Sequence, residues 1–422
     1  MPTYNLPYGA EHLEVRIPEG FDVDLIEPIA VQGSPAPATL IEEIINSKEA
    51  EKLFENHRGA ARVAIAINDK TRPVPHQIIL PPLLRKLETL GLSRRNINLI
   101  IATGTHTPMA PADYSRILPQ EIINRYPVTS HDCDDIHNMV FLGLTKAGTP
   151  VSVNKLFFES NLKIVIGNIE PHHFMGFSGG AKSASIGLTS RETINKNHQF
   201  LLDPSCCAGT YESNPMRMDV EEIGEMIGVH MALNVILNGK KEIVEAIIDT
   251  PRAVMQQGII ISKRICQVPV KSKFDFVIAS VGGAPKDINL YQSQKGLTHG
   301  AMITRDGGNL LLLAKCPEGL GSTGFENFLD ASISPAQMIE KFAQHGFEVG
   351  PHKAFQLARE ASRIQMYLHS SLSPENTKKS MLIPTLVGLN QTIMEILAKL
   401  PSTAKIAIMP RATNTIPDIF PG

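Results

Sequence analysis

One short segment of the chain, EPHHFMGFSGGAK at residues 170–182, combines residue types that are suited to chemistry. Two adjacent histidines, His172 and His173, stand beside a glycine-rich turn and Lys182, directly after the apolar run IVIGN. A glycine turn after a buried strand commonly receives an anion, because glycine lets backbone N–H groups approach it. Histidine and lysine beside it suit proton transfer, metal binding or covalent attachment. The segment alone does not choose among these.

Two details narrow the interpretation of this segment. Adjacent residues in extended chain point in opposite directions, so we expect one of His172 and His173 to face a site and the other to be structural. The turn GFSGG lacks the GK[ST] ending and the GxGxxG spacing, so neither an NTPase nor a classical dehydrogenase is predicted. Downstream, His198 in INKNHQF would by itself be interpreted as a residue on a helix surface.

Polar residues follow three other apolar runs. NDKTRPVP carries Asp69 and Arg72, and an arginine there could hold a carboxylate, although an Asp–Arg pair that only fixes the loop explains the pattern equally well. His106 follows the turn after NINLIIATG, a position that favours a site over an ordinary solvated histidine. Gln292 and Lys295 lie three apart after FDFVIASVGG, on one face if the segment begins a helix, which is a weak signal in isolation.

The elements that must position these residues follow from the hydrophobic pattern. Short runs rich in Val, Ile and Leu, each ending in a polar or glycine-containing turn, are typical of buried parallel strands. Segments such as HQIILPPLLRKLETLG and PAQMIEKFAQHG are typical of amphipathic helices. The predicted fold class is α/β with mainly parallel sheets, in which ligands bind beyond the carboxyl ends of the strands. The runs are RVAIAIND, NINLIIATG, LKIVIGN, FDFVIASVGG, GGNLLLLAK and AKIAIMP.

A chain of 422 residues exceeds the size of a single growing core, so we expect two domains. The segment ISKRICQVPVKSKF has the character of a crossover between two α/β lobes. We therefore predict an N-terminal α/β domain at residues 1–272 and a C-terminal α/β domain at residues 273–422. The active site is expected in the cleft between them.

Composition excludes several classes of partner. With 40 Lys+Arg against 42 Asp+Glu there is no basic field for nucleic acid or an anionic membrane, so a small molecule is the expected partner. No apolar stretch approaches the roughly 20 residues that span a bilayer, and the N-terminus lacks a signal-peptide pattern, so we expect a cytoplasmic protein. The five cysteines show no CxxC spacing, so neither a disulfide framework nor a zinc site is predicted.

Taken in order, five segments of the chain resemble the nickel-pincer-nucleotide-dependent lactate racemase family. The resemblance extends from LPYG near the N-terminus to the strand AKIAIMP, which is nearly the whole chain. It implies a covalently bound cofactor, pyridinium-3,5-bisthiocarboxylic acid mononucleotide nickel, and makes the N-terminal domain at residues 1–272 the cofactor-binding domain. The five segments are DKTRPVP, TGTHTPM, EPHHFMGFSGGAK, NHQF and DINLYQSQKG.

The resemblance also implies the role of each site residue. Lys182 matches the lysine that holds the cofactor through a thioamide, and His198 matches the nickel ligand. His106 and His172 match the two proton-transfer histidines, since each enantiomer presents its hydroxyl on a different side. The phosphate of the cofactor would sit on the turn that contains Ser178, Gly179 and Gly180. Arg72, Gln292 and Lys295 match the substrate-binding positions. Asp69 matches an active-site acid, which we expect to orient a neighbouring residue.

The implied activity is a racemase or epimerase of 2-hydroxy acids that transfers a hydride to the nickel-pincer nucleotide, supplied by cofactor-synthesis enzymes. The chain contains no tryptophan, whereas some lactate enzymes carry one near the substrate. Alternatives are therefore an epimerase of malate, a longer hydroxy acid or a sugar acid, and a non-catalytic protein that carries the cofactor. A carrier would need only Lys182, His198 and the phosphate turn.

Overall fold

All the apolar runs identified in the sequence form β-strands in a computed structural model, which describes residues 2–72 and 74–419. Pro73 of the segment NDKTRPVP lies outside the described residues. The strands are β1 (Thr3–Tyr8), β2 (Glu11–Arg16), β3 (Asp22–Leu25), β4 (Val63–Asn68), β5 (Ile97–Ala102), β6 (Val128–Ser130), β7 (Met139–Leu144), β8 (Pro150–Asn154), β9 (Leu162–Asn168), β10 (Pro171–His172), β11 (Gly176–Phe177), β12 (Met231–Leu237), β13 (Ile243–Asp249), β14 (Gln267–Val270), β15 (Phe274–Ser280), β16 (Thr304–Leu313), β17 (Gln365–His369), β18 (Ile383–Pro384), β19 (Lys405–Met409) and β20 (Ile416–Ile419).

Both segments predicted to be amphipathic helices are helical, as α3 and α12. The α-helices are α1 (Pro37–Ile45), α2 (Lys48–Glu55), α3 (His76–Thr89), α4 (Gln120–Arg125), α5 (Lys155–Phe158), α6 (Lys182–Ser185), α7 (Arg191–His198), α8 (Pro215–Ile227), α9 (Pro251–Cys266), α10 (Leu290–Ile303), α11 (Thr323–Phe328), α12 (Pro335–His345), α13 (Pro351–Ala361), α14 (Pro374–Lys379) and α15 (Leu389–Leu397). None of the described helices is long and apolar enough to cross a membrane.

The chain divides into two units: a central unit, Ala30–Ile265, and a terminal unit, Met1–Ile29 together with Cys266–Gly422. This division differs from the expected domains 1–272 and 273–422 chiefly at the N-terminus. The first 29 residues lie in the terminal unit because β3 pairs in parallel with β19, Asp22 opposite Lys405 and Leu25 opposite Ile408. A pairing between strands so far apart in sequence leaves no local pattern that could have indicated it.

The central unit is built on a six-stranded sheet with the order β13-β12-β9-β4-β5-β6. Only β12 and β13 pair antiparallel among these strands, and the other pairs are parallel. The chain extends from β4 to β5 and β6 on one side, and from β9 to β12 and β13 on the other. The sheet therefore reverses its strand order between β4 and β9, which is where ligands bind in open α/β sheets.

Both faces of this sheet are covered, which explains why its strands are almost continuously apolar. In β4, Val63, Ile65 and Ile67 enter one hydrophobic cluster, whereas Ala64 and Ala66 enter another on the opposite face. The α/β class with mainly parallel sheets is thereby confirmed.

The terminal unit contains a second six-stranded sheet, entirely parallel, with the order β18-β17-β16-β15-β19-β3. Its central strands bury Phe276, Ile278, Leu311 and Ile406 in one cluster. The helix α10 follows β15, and its N-terminus is capped by Asn289, whose side chain accepts a hydrogen bond from the Gln292 N–H at 3.0 Å. This cap begins the helix at the segment that carries Gln292 and Lys295.

Candidate active site

Two neighbouring strand ends bring Asp69 and His106 into contact in the central unit. Asp69 follows β4 and His106 follows the adjacent strand β5, and the His106 Nδ1 lies 2.8 Å from the Asp69 Oδ2. A carboxylate can only accept, so His106 donates through Nδ1 and its Nε2 carries the lone pair of the neutral ring. The loop after β4 therefore orients the imidazole as a base at Nε2.

Asp69 is a buried carboxyl group with a lowered pKa, whereas His106 is partly exposed. Burial raises the pKa of Asp69, but hydrogen bonds from His106 and Thr71, together with attraction to His106, outweigh burial and lower it overall. The Asp69 side chain is only 4% exposed, whereas that of His106 is 45% exposed. An ionised, buried carboxylate thus holds a histidine whose ring reaches solvent.

His172 has the opposite hydrogen-bond arrangement. It ends β10, which forms a tight hairpin with β11, and its Nδ1 accepts from the Met175 N–H at 3.2 Å. The hydrogen of the neutral ring is therefore on Nε2. In the neutral state His106 offers a lone pair at Nε2 and His172 offers an N–H at the same atom.

The expectation that His172 and His173 point in opposite directions is wrong. Their rings stack, with centroids 4.7 Å apart and an interplanar angle of 21°. The extended chain ends at His172, because β10 has only two residues and the hairpin turn begins immediately after it. Alternation of side chains requires extended backbone on both residues.

The glycine turn is shaped by close packing. Gly179 and Gly180 have φ of 98° and 58°, a region that favours glycine. A Cβ on Gly179 would lie 2.7 Å from the Ile169 side chain, and one on Gly180 would lie 2.6 Å from the Met255 side chain. A side chain at either position would strain the backbone and displace a neighbouring side chain.

Two N–H groups of this turn are already bonded within the protein. The Ser178 N–H donates to the Glu170 carbonyl at 2.8 Å, and the Gly180 N–H donates to Asn234 Oδ1 at 2.7 Å. These two groups therefore do not face an anion as expected. The Ser178 hydroxyl, 3.4 Å from the Lys182 Nζ, is a polar group that the turn places beside the lysine.

His198 is buried rather than on a helix surface. It is the last residue of α7, and its Nδ1 lies 2.8 Å from the Ile194 carbonyl, which can only accept, so Nε2 carries the lone pair. Burial, followed by the positive charges of Lys182 and Arg72, lowers its pKa to about 3. The ring is therefore neutral near pH 7.

Phe174 joins two of the predicted residues. Its ring lies 4.5 Å from the centroid of His172 and 5.5 Å from that of His198, edge-on to both. Lys182 and Arg72 are close enough to His198 to lower its pKa, and His106 is bonded to Asp69, so residues after β4, β5 and β9 lie at one edge of the sheet.

Gln292 and Lys295 belong to the terminal unit. Both are exposed on α10, while Ser293 and Gln294 between them are buried, so they share one face of the helix as predicted. Arg72 is exposed in the central unit, where its N–H donates to the Asp69 carbonyl at 3.2 Å.

Three polar residues near these groups were not identified from the sequence. Thr71 donates to Asp69 Oδ1 at 2.7 Å. The buried Asn68 Oδ1 and Asn234 Nδ2 have no hydrogen-bond partner among the residues that the structure describes. Both lie near Gly167, at 3.8 and 3.4 Å from the position that a Cβ on this glycine would occupy. The signal that could have found Asn234 is an asparagine inside the apolar run MALNVIL.

The chain matches known lactate racemases in both halves. Residues 8–209 match the lactate racemase N-terminal domain, and residues 270–414 match the lactate racemase C-terminal domain. The lactate racemase of Thermoanaerobacterium thermosaccharolyticum is 30% identical over 360 residues, covering 82% of each protein. The lactate racemase of Lactiplantibacillus plantarum is 30% identical over 346 residues, covering 81% of each.

Solved structures extend this similarity to the fold. The lactate racemase apoprotein from Thermoanaerobacterium thermosaccharolyticum has a TM-score of 0.89 at 26% identity, covering 99% of this chain and 100% of that one. A protein from Thermotoga maritima, 16% identical with a TM-score of 0.65 over 92% of this chain and 100% of its own, shares the fold. With both domains matched and relatives at 30% identity over most of their length, the chain belongs to the lactate racemase family and is an isomerase.

Proposed function

We propose that the chain is a racemase or epimerase of 2-hydroxy acids that uses a nickel-pincer nucleotide. The observation that carries this proposal is the contact between Asp69 and His106, in which a buried carboxylate holds an exposed imidazole with its lone pair on Nε2. Such a pair is suited to taking a proton from a hydroxyl group. Lactate, the substrate in the names of the relatives, is a 2-hydroxy acid.

The residues present fit the implied cofactor. A neutral imidazole with its lone pair on Nε2 is the form in which histidine binds a metal, and His198 is held in that form by Ile194. Lys182 is half-buried beside the Ser178 hydroxyl, suited to covalent attachment. The unpartnered amide atoms of Asn68 and Asn234 fit polar groups of a nucleotide.

In this proposal Lys182 holds the cofactor covalently, His198 is the protein ligand of nickel, and the turn of Ser178, Gly179 and Gly180 lies against the nucleotide. When bound, such a group supplies an acceptor and donor for the α-hydrogen of the substrate as hydride. Loading it requires the cofactor-synthesis enzymes as partners.

The proton steps fall to the two histidines. His106 accepts the hydroxyl proton at Nε2 while Asp69 stabilises the imidazolium that results. His172 presents an N–H at Nε2 to the substrate oxygen from its own position. It returns a proton only from its imidazolium form, which leaves a neutral ring. Because the hydroxyl of each enantiomer lies on a different side, both histidines are needed for interconversion.

Binding of the substrate carboxylate is assigned to the cationic residues Arg72 and Lys295, with Gln292 as a further polar contact. The exposed guanidinium of Arg72 can form two parallel hydrogen bonds with a carboxylate. Holding the carboxylate fixes the reacting carbon and its hydroxyl relative to the base.

Intact-mass analysis tests the cofactor assignment. Protein co-expressed with the cofactor-synthesis enzymes in nickel-containing medium is expected to carry an adduct that maps to Lys182 by peptide mass spectrometry. Lys182→Ala should lose the adduct, whereas Lys196→Ala, which alters an exposed lysine on α7, should keep it. An adduct that persists in Lys182→Ala, or none in the unaltered chain, would refute the assignment.

A further inference from the structure

A buried arginine on α8, Arg217, contacts the backbone of the glycine turn. Its side chain is fully buried, with Nη1 donating to the Phe177 carbonyl at 3.0 Å and Nη2 donating to the Gly179 carbonyl at 3.1 Å. A Cβ on Gly180 would lie 2.9 Å from Nη2, so the guanidinium packs directly under the turn. The turn and α8 are therefore in contact at the point where Gly180 has no side chain.

The two bonded carbonyls enclose the neighbours of Lys182. Ser178, whose hydroxyl lies 3.4 Å from the Lys182 Nζ, stands between Phe177 and Gly179. The Gly179 carbonyl accepts from Arg217 and also from the Lys182 N–H at 3.3 Å. Arg217 thus contacts the carbonyl that accepts from the Lys182 N–H. It also contacts the residues on both sides of Ser178, whose hydroxyl lies beside the Lys182 amine.

Glu221 neutralises the charge of Arg217, and the bonds from Arg217 to the two carbonyls are kept. Glu221, one turn further along α8, accepts from the Arg217 Nε at 2.9 Å and also from the Tyr211 hydroxyl at 2.8 Å. A buried ion pair is weak evidence for a stabilising role, because well-packed apolar residues often stabilise as much. What apolar residues lack is the planar set of donors that can bind two carbonyls at once.

We propose that Arg217 is a positioning residue for Lys182. It fixes the carbonyls of Phe177 and Gly179, and through them it holds the lysine amine where the cofactor becomes attached. This inference rests on the proposed function, since it concerns attachment of the nickel-pincer nucleotide. Arg217 itself touches neither substrate nor cofactor.

The test compares loading of Arg217→Lys and Arg217→Met with that of the unaltered chain. Lysine keeps the positive charge but cannot bind both carbonyls in one plane, and methionine removes the charge and the donors. Leu84→Ala serves as a control for lost stability, because Leu84 lies on α3 in the hydrophobic cluster on the opposite face of the sheet from Phe177 and Met255. Each protein is co-expressed with the cofactor-synthesis enzymes for the same short time, and the fraction carrying the Lys182 adduct is measured by intact mass beside the thermal midpoint.

Both Arg217 variants are expected to acquire the Lys182 adduct roughly 10- to 100-fold more slowly. This is the usual effect of losing a residue that orients a binding residue through hydrogen bonds. Leu84→Ala should have a lower thermal midpoint but acquire the Lys182 adduct at the rate of the unaltered chain. The inference is overturned if Arg217→Lys loads like the unaltered chain, or if loading falls in Leu84→Ala in step with its thermal midpoint. An unaltered chain without adduct would instead overturn the proposed function, and this inference with it.

Discussion

At the scale of single residues, the two candidate proton-transfer histidines differ in what holds their rings. His106 donates through Nδ1 to a carboxylate, whereas His172 accepts at Nδ1 from the Met175 N–H. The Asp69 carboxylate can only accept a hydrogen bond and the Met175 N–H can only donate one, so each fixes one tautomer of the neutral ring that it contacts. The pair is therefore chemically asymmetric before any substrate binds.

This asymmetry can be measured directly by nuclear magnetic resonance. In protein labelled with ¹⁵N-histidine near pH 8, His106 is expected to show a protonated Nδ1 and His172 a protonated Nε2. Asp69→Asn supplies the control, because an amide no longer enforces donation from His106 and leaves the Met175 contact intact. Finding the same tautomer on both rings of the unaltered chain would contradict the assignment.

Removing the charge of Asp69 tests whether it supports His106 as a base. Asp69→Asn should lower the rate of racemisation by roughly 10²- to 10⁴-fold, the range over which general-base catalysis acts, because the imidazolium loses its stabilising carboxylate. Adduct formation on Lys182 should be unchanged. Thr71→Val removes the hydroxyl contacts to Asp69 Oδ1 and His106 Nδ1 but keeps the Asp69–His106 bond and the bond from the Thr71 N–H to Asp69, so it should have a much smaller effect. A full rate in Asp69→Asn would show that another group orients the base.

At the scale of elements, α8 carries none of the residues predicted from the sequence, yet it supports two of the segments that do. Arg217 holds the glycine turn, and Asp219 accepts from the Asn197 amide at 2.8 Å, next to His198. Asp219 also accepts from the hydroxyls of Thr145 at 2.6 Å and Thr149 at 2.9 Å. The helix is thus a framework for both candidate cofactor attachments.

Loss of the Asp219 carboxylate should destabilise the central unit strongly. Asp219→Ala removes the acceptor of the Thr145 and Thr149 hydroxyls and of one N–H of the Asn197 amide, whose other bond, to the Met216 carbonyl, remains; the loss is expected to cost about 3 kcal/mol or more. Asp134→Ala is the matched control, since its ion pair with Arg191 is exposed and is worth about 1 kcal/mol at most. Hydrogen exchange of peptides from the central unit measures both. Equal effects would mean that the buried network contributes little.

Sequence patterns predicted the elements better than the contacts between them. Runs such as LKIVIGN are strands because both faces of the sheet are covered, and that requirement is visible in a few adjacent residues. The stacking of His172 on His173 depends on where a two-residue strand ends, which no periodicity reports. Arg217 was missed because a charged residue in a helix is ordinarily solvated, and only the packing of α8 on the turn buries it.

At the scale of the whole molecule, the two α/β units were predictable from length and from the order of strands, but the place of the first 29 residues was not. Their pairing with β19 joins segments separated by almost the entire chain. A similar limit applies to Gln292 and Lys295: helical spacing predicts that they share one face of α10, but it does not predict what that face binds. Their assignment to the substrate stays a prediction.

Two histidines, the buried His76 and the half-buried His230, make the central unit sensitive to acid. Burial lowers the pKa of both His76 and His230 to about 4, below the ordinary value near 6.5. Between these pH values the unfolded chain binds protons that the folded chain does not, so stability should be full above about pH 6.5 and fall towards pH 4. Each histidine contributes up to about 1.4 kcal/mol per pH unit.

Urea denaturation at pH 7 and pH 5 measures this loss. His76→Gln can still donate to the Ile117 carbonyl but cannot take up a proton. It should therefore remove about half of the loss in unfolding free energy that the two histidines together cause between pH 7 and pH 5. An identical pH dependence in His76→Gln and in the unaltered chain would show that His76 takes up its proton in the folded state.

The most direct test of the proposed activity is stereochemical. Protein carrying the Lys182 adduct is incubated with single enantiomers of lactate, malate, longer 2-hydroxy acids and sugar acids, and the products are separated by chiral chromatography. We expect at least one acid to be inverted at its 2-carbon from either stereoisomer, with enantiomers reaching equal amounts, and His106→Ala to abolish the conversion in both directions. Fully loaded protein that inverts none of these acids would contradict a racemase and leave a carrier of the cofactor.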